Sequence, residues 1–243
     1  MNLEILKNLD IEYWKNENPY LNDKSLSKGQ KSAITTIQNG GKKGTGNRYL
    51  VNYQVENGLE IEIAINKNIE IYRQNRAEKE AIDTFDLVYL WGGVPRSGPY
   101  SRQGIRAKAD AWLPCYKRFI ELTFTGEIEA AIDEVNSIRG VGMAYGSKHL
   151  KFWGNYPVLD TRLSWLIFGE KLKPTAGGND YVIYFQIIQE LAGFFGLSPC
   201  ETEEALFAFS ERYFLHDKLT MKEGLVRGNG HDQRIANELC NAL

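Results

Sequence analysis

Cysteine is scarce in this chain. Its three residues, Cys115, Cys200 and Cys240, lie far apart with no CxxC pair. An odd, scattered set frames no disulfide scaffold and matches no structural zinc spacing, so the three read as reduced thiols. No apolar run approaches the ~20 residues of a membrane-spanning helix. Met1-Asn2-Leu3-Glu4 lacks the basic and apolar segments of a secretory signal. A cytoplasmic protein without membrane contact is the expectation. No fixed-period repeat is present, which excludes a solenoid. No P-loop, Ser-His-Asp or metal-ligand spacing stands out, and His216 and His231 read as structural or surface residues. Excess positive charge is missing too: 29 Lys and Arg face 31 Asp and Glu, a formal net charge of -2. Nucleic-acid binders usually carry a basic footprint, so any DNA contact must come from a local patch.

What is present is an ordinary globular composition, 43% hydrophobic and 25% charged over 243 residues, enough for a sizeable core without staples. Residues 1–243 read as one unit. An N-terminal part to about residue 75 carries a helix at 25–38 and a small β-hairpin. The hairpin is read from strands 49–55 and 59–65, which alternate or run apolar around Glu56-Asn57-Gly58. Lys42-Lys43-Gly44-Thr45-Gly46 is either a solvated loop or a phosphate contact. From residue 76 onward, apolar spacing of three and four predicts helices at 76–91, 112–123, 126–138, 143–153, 160–169, 180–195, 201–215 and 231–243. The fold class is therefore mostly α. A loop from Trp91 to Arg102, rich in Gly and Pro, interrupts the helices. It presents Arg96, Tyr100 and Arg102 either as a functional surface or as a structural turn.

The informative stretch follows a helix whose Ile128, Ala131, Ile132, Val135 and Ile138 share one face. Ile138-Arg139-Gly140-Val141-Gly142 then makes a tight turn, and a second helix begins near Met143. A helix-hairpin-helix of this kind points unpaired amides at one spot, favouring an anion such as a DNA phosphate. Lys148, His149 and Lys151 add local positive charge. Eighteen residues beyond Gly142, the apolar run Val158-Leu159 ends at Asp160-Thr161-Arg162, opening another helix. Asp is a favoured N-cap, so Asp160 by itself reads as a cap or as a functional carboxylate.

Together, Ile138-Arg139-Gly140-Val141-Gly142 and Val158-Leu159-Asp160-Thr161-Arg162 give residues 126–166 a pattern that resembles the helix-hairpin-helix DNA glycosylase superfamily. That superfamily includes endonuclease III and the 8-oxoguanine glycosylases. Arg139 stands where Pro is commoner. The resemblance implies two helical subdomains around a cleft, with the hairpin 137–148 at its mouth. It implies a monomer acting on double-stranded DNA that carries a damaged or modified base. Four cysteines would be needed for the iron-sulfur cluster of some members, so no cofactor is expected. Asp160 becomes the catalytic carboxylate, stabilising an oxocarbenium-like state. Gly140, Val141, Gly142, Lys148, His149 and Arg162 become DNA contacts. The lysine of bifunctional members, two residues past the last hairpin glycine, is Ala144 here. Either water attacks, or Lys148, one turn further on, takes the nucleophile role. Trp91, Tyr100, Tyr145 and Arg96 are the candidates for a base pocket or a wedge. The target is 8-oxoguanine-like, or a hypermodified base of foreign DNA. A non-catalytic helix-hairpin-helix DNA-binding module and a helical scaffold for another protein are the alternatives.

Overall fold

The computed structural model describes residues 3–17, 58–92, 109–215, 218–221 and 230–242. Among them are eleven helices. In chain order these are α1 (Leu3–Leu6), α2 (Ile11–Asn16), α3 (Gly58–Asn75), α4 (Glu78–Trp91), α5 (Ala109–Thr125), α6 (Ile128–Ser137), α7 (Met143–Gly154), α8 (Thr161–Phe168), α9 (Gly178–Phe195), α10 (Pro199–Tyr213) and α11 (Gly230–Asn241). The described strands, β1 (Phe214–Leu215) and β2 (Lys218–Met221), pair antiparallel between α10 and α11. The fold is mostly α, as the apolar periodicity requires. No described helix is long and apolar enough to cross a membrane.

The chain divides into two compact units, Met1–Asn22 with Tyr156–Leu243, and Asp23–Asn155. In the first of these the N-terminal helices pack with the C-terminal ones. The Trp14 ring meets Phe209 and Tyr213 edge-on, and its Nε1–H donates to Asp232 Oδ2 at 3.0 Å. Sequence proximity gave no sign of that pairing.

The unit 23–155 contains the main correction. Residues 59–65, expected as the second strand of a β-hairpin, lie in α3. The run Leu59-Glu-Ile-Glu-Ile-Ala-Ile satisfies a period of two, but Ile61, Ile65, Ile69 and Tyr72 satisfy the helical period over a longer stretch. Those four are buried, while Leu59 and Ile63 are exposed. An isolated hairpin has little to stabilise it, whereas an eighteen-residue helix buries one continuous face against α4 and α7. The first expected strand, 49–55, the helix at 25–38 and the loop 42–46 lie outside the described residues. The remaining helices of this unit surround a core of Phe85, Tyr89, Trp112, Tyr116, Phe119 and Trp153.

In the other unit α8, α9 and α10 pack together with α2, β1 and α11. Their boundaries follow local chemistry. Gly169 and Gly196 end α8 and α9 in the left-handed region, at φ +71° and +70°, as Asn155 at +57° ends α7 in the unit 23–155. Pro199 occupies the first turn of α10. Ser198 caps that helix, its Oγ accepting from the Glu201 amide at 3.2 Å, while Glu201 Oε2 accepts in return from the Ser198 amide at 3.0 Å. Those Ser198 bonds, helped by Lys15, push the Glu201 carboxyl down to about 2.

Candidate nucleic-acid interface and carboxylate

The hairpin between α6 and α7 takes its shape from two glycines and two buried apolar anchors. Ile138 closes α6 in extended conformation, and the Val141 amide donates back to its carbonyl at 2.9 Å. Ile138 and Val141 are buried, while Arg139, Gly140 and Gly142 face solvent. Gly140 has φ +90°, a conformation that a side chain at this position would strain. Gly142 is extended and brings no capping side chain; its carbonyl accepts from the Tyr145 and Gly146 amides, both at 2.9 Å. By helix geometry the Met143 and Ala144 amides have no intrahelical acceptor, so the turn ends in donors available to an anion.

Gly146 sets how closely α6 and α7 approach. A Cβ there would lie 2.6 Å from Asn136 Oδ1 and 3.0 Å from Val135 Cγ1. From behind the turn, the Tyr89 hydroxyl of α4 donates to the Gly140 carbonyl at 3.5 Å. Tyr89 also stacks on Tyr145, with ring centroids 4.5 Å apart and planes within 9°. Lys148 Nζ stands 4.6 Å from the centre of the Tyr145 ring. Its side chain runs beside Gly92, where a Cβ would lie 3.0 Å from Lys148 Cδ and 3.1 Å from Tyr145 Cε1. Burial pushes the Tyr145 phenol up, so it is neutral at physiological pH.

Three expected site residues turn out to be engaged elsewhere. His149 is fully buried, stacked on Phe85 at 4.8 Å. Its Nδ1 lies 2.9 Å from the Tyr116 hydroxyl, which also accepts from Trp153 Nε1–H at 2.8 Å. Trp153 can only donate, so the Tyr116 oxygen accepts from it while pairing with His149 Nδ1. Burial, reinforced by the charge of Lys148, pushes the pKa of His149 down to about 3. It supplies no positive charge to a phosphate, because α7 turns that face toward α4 and α5.

Trp91 is buried as well. Its Nε1–H donates to Glu62 Oε1 at 2.7 Å and its ring meets Phe152 edge-on, so it joins α4 to α3 and α7 and is no wedge. Arg162 has a side chain only 10% exposed; Nη1 donates to the Phe214 carbonyl at 3.5 Å, and Nη2 lies 3.9 Å from Glu211 Oε1. It is a tie within its own unit, not an open DNA contact. Arg96, Tyr100 and Arg102 lie outside the described residues.

Asp160 stands at the N-cap of α8, in the unit 1–22 with 156–243. Its Oδ1 accepts from the Arg162 amide at 2.9 Å and the Leu163 amide at 3.0 Å. Both bonds fall on one oxygen, and the side chain is half-buried. The segment before it is irregular and buried, and two hydroxyls hold it. Tyr181 donates to the Pro157 carbonyl at 2.6 Å, and Tyr184 to the Val158 carbonyl at 2.7 Å.

Sequence reading missed Tyr89, Gly92, Gly146, Tyr181 and Tyr184. Gly146 carried a signal: a glycine inside a helix at an apolar position marks close packing. The tyrosines had none beyond the general tendency of a buried hydroxyl to find a partner. Among the described residues no group of three or more His, Cys, Asp or Glu is placed to hold a metal ion. No protein-family model matches the chain, and searches of curated proteins and of solved structures found no match.

Proposed function

We propose that this chain is a DNA N-glycosylase of helix-hairpin-helix type that acts in the cytoplasm, as a monomer, on duplex DNA with a damaged or modified base. One observation carries the reading. A turn with Gly140 at φ +90° and an uncapped helix start at Gly142 is followed, one helix later, by a carboxylate at the mouth of the next helix. The first feature suits a phosphate. The second suits a reaction whose transition state carries positive charge on the sugar. In the proposed step the bond between C1′ and the base nitrogen breaks and the base leaves with its electron pair. A water oxygen then bonds to C1′, and the proton it gives up neutralises the departed base. Asp160 stabilises the charge that develops at C1′, and preorganised electrostatic contributions of this kind are worth roughly 3–4 kcal/mol.

Water is preferred to Lys148 as the nucleophile. An ammonium over the face of Tyr145 is stabilised as the cation, whereas attack on C1′ needs the free amine. Lys148 in this reading adds charge beside the hairpin, with Lys151 and Arg139. The substrate base is 8-oxoguanine-like or a hypermodified base of foreign DNA.

The test is base release from duplexes carrying single modified bases and from phage DNAs with modified cytosines. Strand cleavage that needs hot alkali, with no borohydride-trapped adduct, is the expected result and names the base. A trapped adduct lost in Lys148→Gln would transfer the nucleophile to Lys148. The second reading, a non-catalytic DNA-binding module, is favoured by the two amide bonds on Asp160 Oδ1, which an N-cap makes without any chemistry. Salt-sensitive DNA binding with no base release on any substrate would establish it.

A further inference from the structure

The segment in front of Asp160 is tied down more firmly than a helix cap requires. Capping α8 needs only the Asp160 side chain and the first amides of the helix. Yet residues 155–160 carry no regular secondary structure, while Pro157, Val158 and Leu159 are all buried. A buried carbonyl in such a segment has no ladder to join and must find a side-chain donor. Two are supplied from one helix. Tyr181 and Tyr184, one turn apart on α9 and both fully buried, donate to the successive carbonyls of Pro157 and Val158 at 2.6 and 2.7 Å. Beyond Asp160, the Arg162 side chain fixes the first turn of α8. Its guanidinium lies 5.9 Å from the Phe207 ring centre and reaches the Phe214 carbonyl and Glu211. The carboxylate therefore has a fixed backbone on both sides, contributed by α9 on one and by α10 and β1 on the other.

We infer that Tyr181 and Tyr184 are positioning residues for the Asp160 carboxylate, their hydroxyls holding the backbone three and two residues ahead of it. This rests on the glycosylase reading for its consequence and on the hydrogen bonds alone for its geometry. Neither tyrosine touches DNA in this account. Their removal lets the segment shift, and displacements of about 1 Å at a reacting group cost about 100-fold in rate.

The experiment uses the full chain and its variants Tyr181→Phe, Tyr184→Phe, Tyr184 replaced by p-aminophenylalanine, Asp160→Asn alone and with Tyr184→Phe, and Tyr213→Phe as a control. Tyr213 is likewise buried, but its hydroxyl has no hydrogen-bond partner among the described residues. Single-turnover base release and DNA affinity are measured separately. Both Phe variants at 181 and 184 are expected to lose about 10- to 100-fold in rate with affinity within about twofold of the parent. p-Aminophenylalanine, which keeps a donor, recovers most of the rate at 184. In an Asp160→Asn background Tyr184→Phe has no further effect. Equal rates for Tyr184→Phe and Tyr213→Phe would overturn the inference. If the parent protein releases no base, the glycosylase reading fails, and amide hydrogen exchange at Arg162 and Leu163 decides the geometry. Faster exchange in Tyr184→Phe than in Tyr213→Phe, beyond any difference in global stability, upholds the positioning. Unchanged exchange refutes it.

Discussion

Around Gly140 the chain is shaped by absences: a missing side chain where φ is +90°, no capping side chain at Gly142, and no Cβ at Gly146 where α6 and α7 meet. Around Asp160 it is shaped by additions: two tyrosine hydroxyls on carbonyls 157 and 158, two amides on the carboxylate, and a nearly buried guanidinium on Phe214 and Glu211. In the proposed function the contrast follows from what each region would have to do. A turn meant to receive an anion has to keep its donors unspent, so it is held by apolar anchors and close packing. A carboxylate that would meet a developing charge has to stay in place, and here one of its oxygens and the backbone ahead of it are held by hydrogen bonds. Substitutions should therefore break the two regions differently.

The largest effect is expected from acid, and in the hairpin unit. His149 is buried and neutral with its pKa pushed down to about 3, whereas the unfolded chain takes up a proton near 6.5. Between those values the unfolded state binds the extra proton. The stability contributed by neutral burial is full above about pH 6.5 and is lost as pH falls toward 3. At pH 4 the loss amounts to about 3 kcal/mol at ~1.4 kcal/mol per unit. Hydrogen exchange across pH 4–7 should show α4, α5 and α7 opening first, and a His149→Gln variant should show a flatter acid slope. Equal slopes in parent and variant would contradict this.

Next come the hairpin glycines. Gly140→Val puts a β-branched side chain at φ +90° and should cost about 1–3 kcal/mol of local strain. DNA affinity should fall at least tenfold while the exchange protection of α8 is unchanged. Gly146→Val places carbon where Asn136 and Val135 already stand; its cost should be about 1–3 kcal/mol, read by thermal unfolding, through overpacking of α6 on α7. The smallest effect is expected at Tyr213. Removing a buried hydroxyl that bonds no described residue should change stability by no more than about 0.5 kcal/mol, in contrast to Tyr181 and Tyr184.

Helix positions from 76 onward were legible because long apolar stripes at period 3.6 leave few alternatives. α3 was misread because Leu59 to Ile65 satisfies both periods, and only Ile69 and Tyr72 decide between them. The hairpin was legible because a glycine forced to positive φ is a local property. The surroundings of its helix were not. On α7, His149 shares a face with Gly146 and Trp153, while Lys148 shares one with Tyr145 and Phe152. Charge alone grouped His149 with the lysines, and packing against α4 and α5 separated them. Arg162 and Trp91 were misassigned for the same reason: their partners, Glu211 with Phe214 and Glu62, are distant in sequence. The tyrosine clamp depends on a register between α9 and an irregular segment, which no local pattern encodes.

Asp160→Asn tests the central claim most directly, because Asn keeps an oxygen for the Arg162 and Leu163 amides and removes only the charge. The account predicts unchanged thermal stability, DNA affinity equal to or tighter than that of the parent, and base release lowered about 100- to 1,000-fold. Base release within a few-fold of the parent would reduce Asp160 to a helix cap and remove the catalytic assignment.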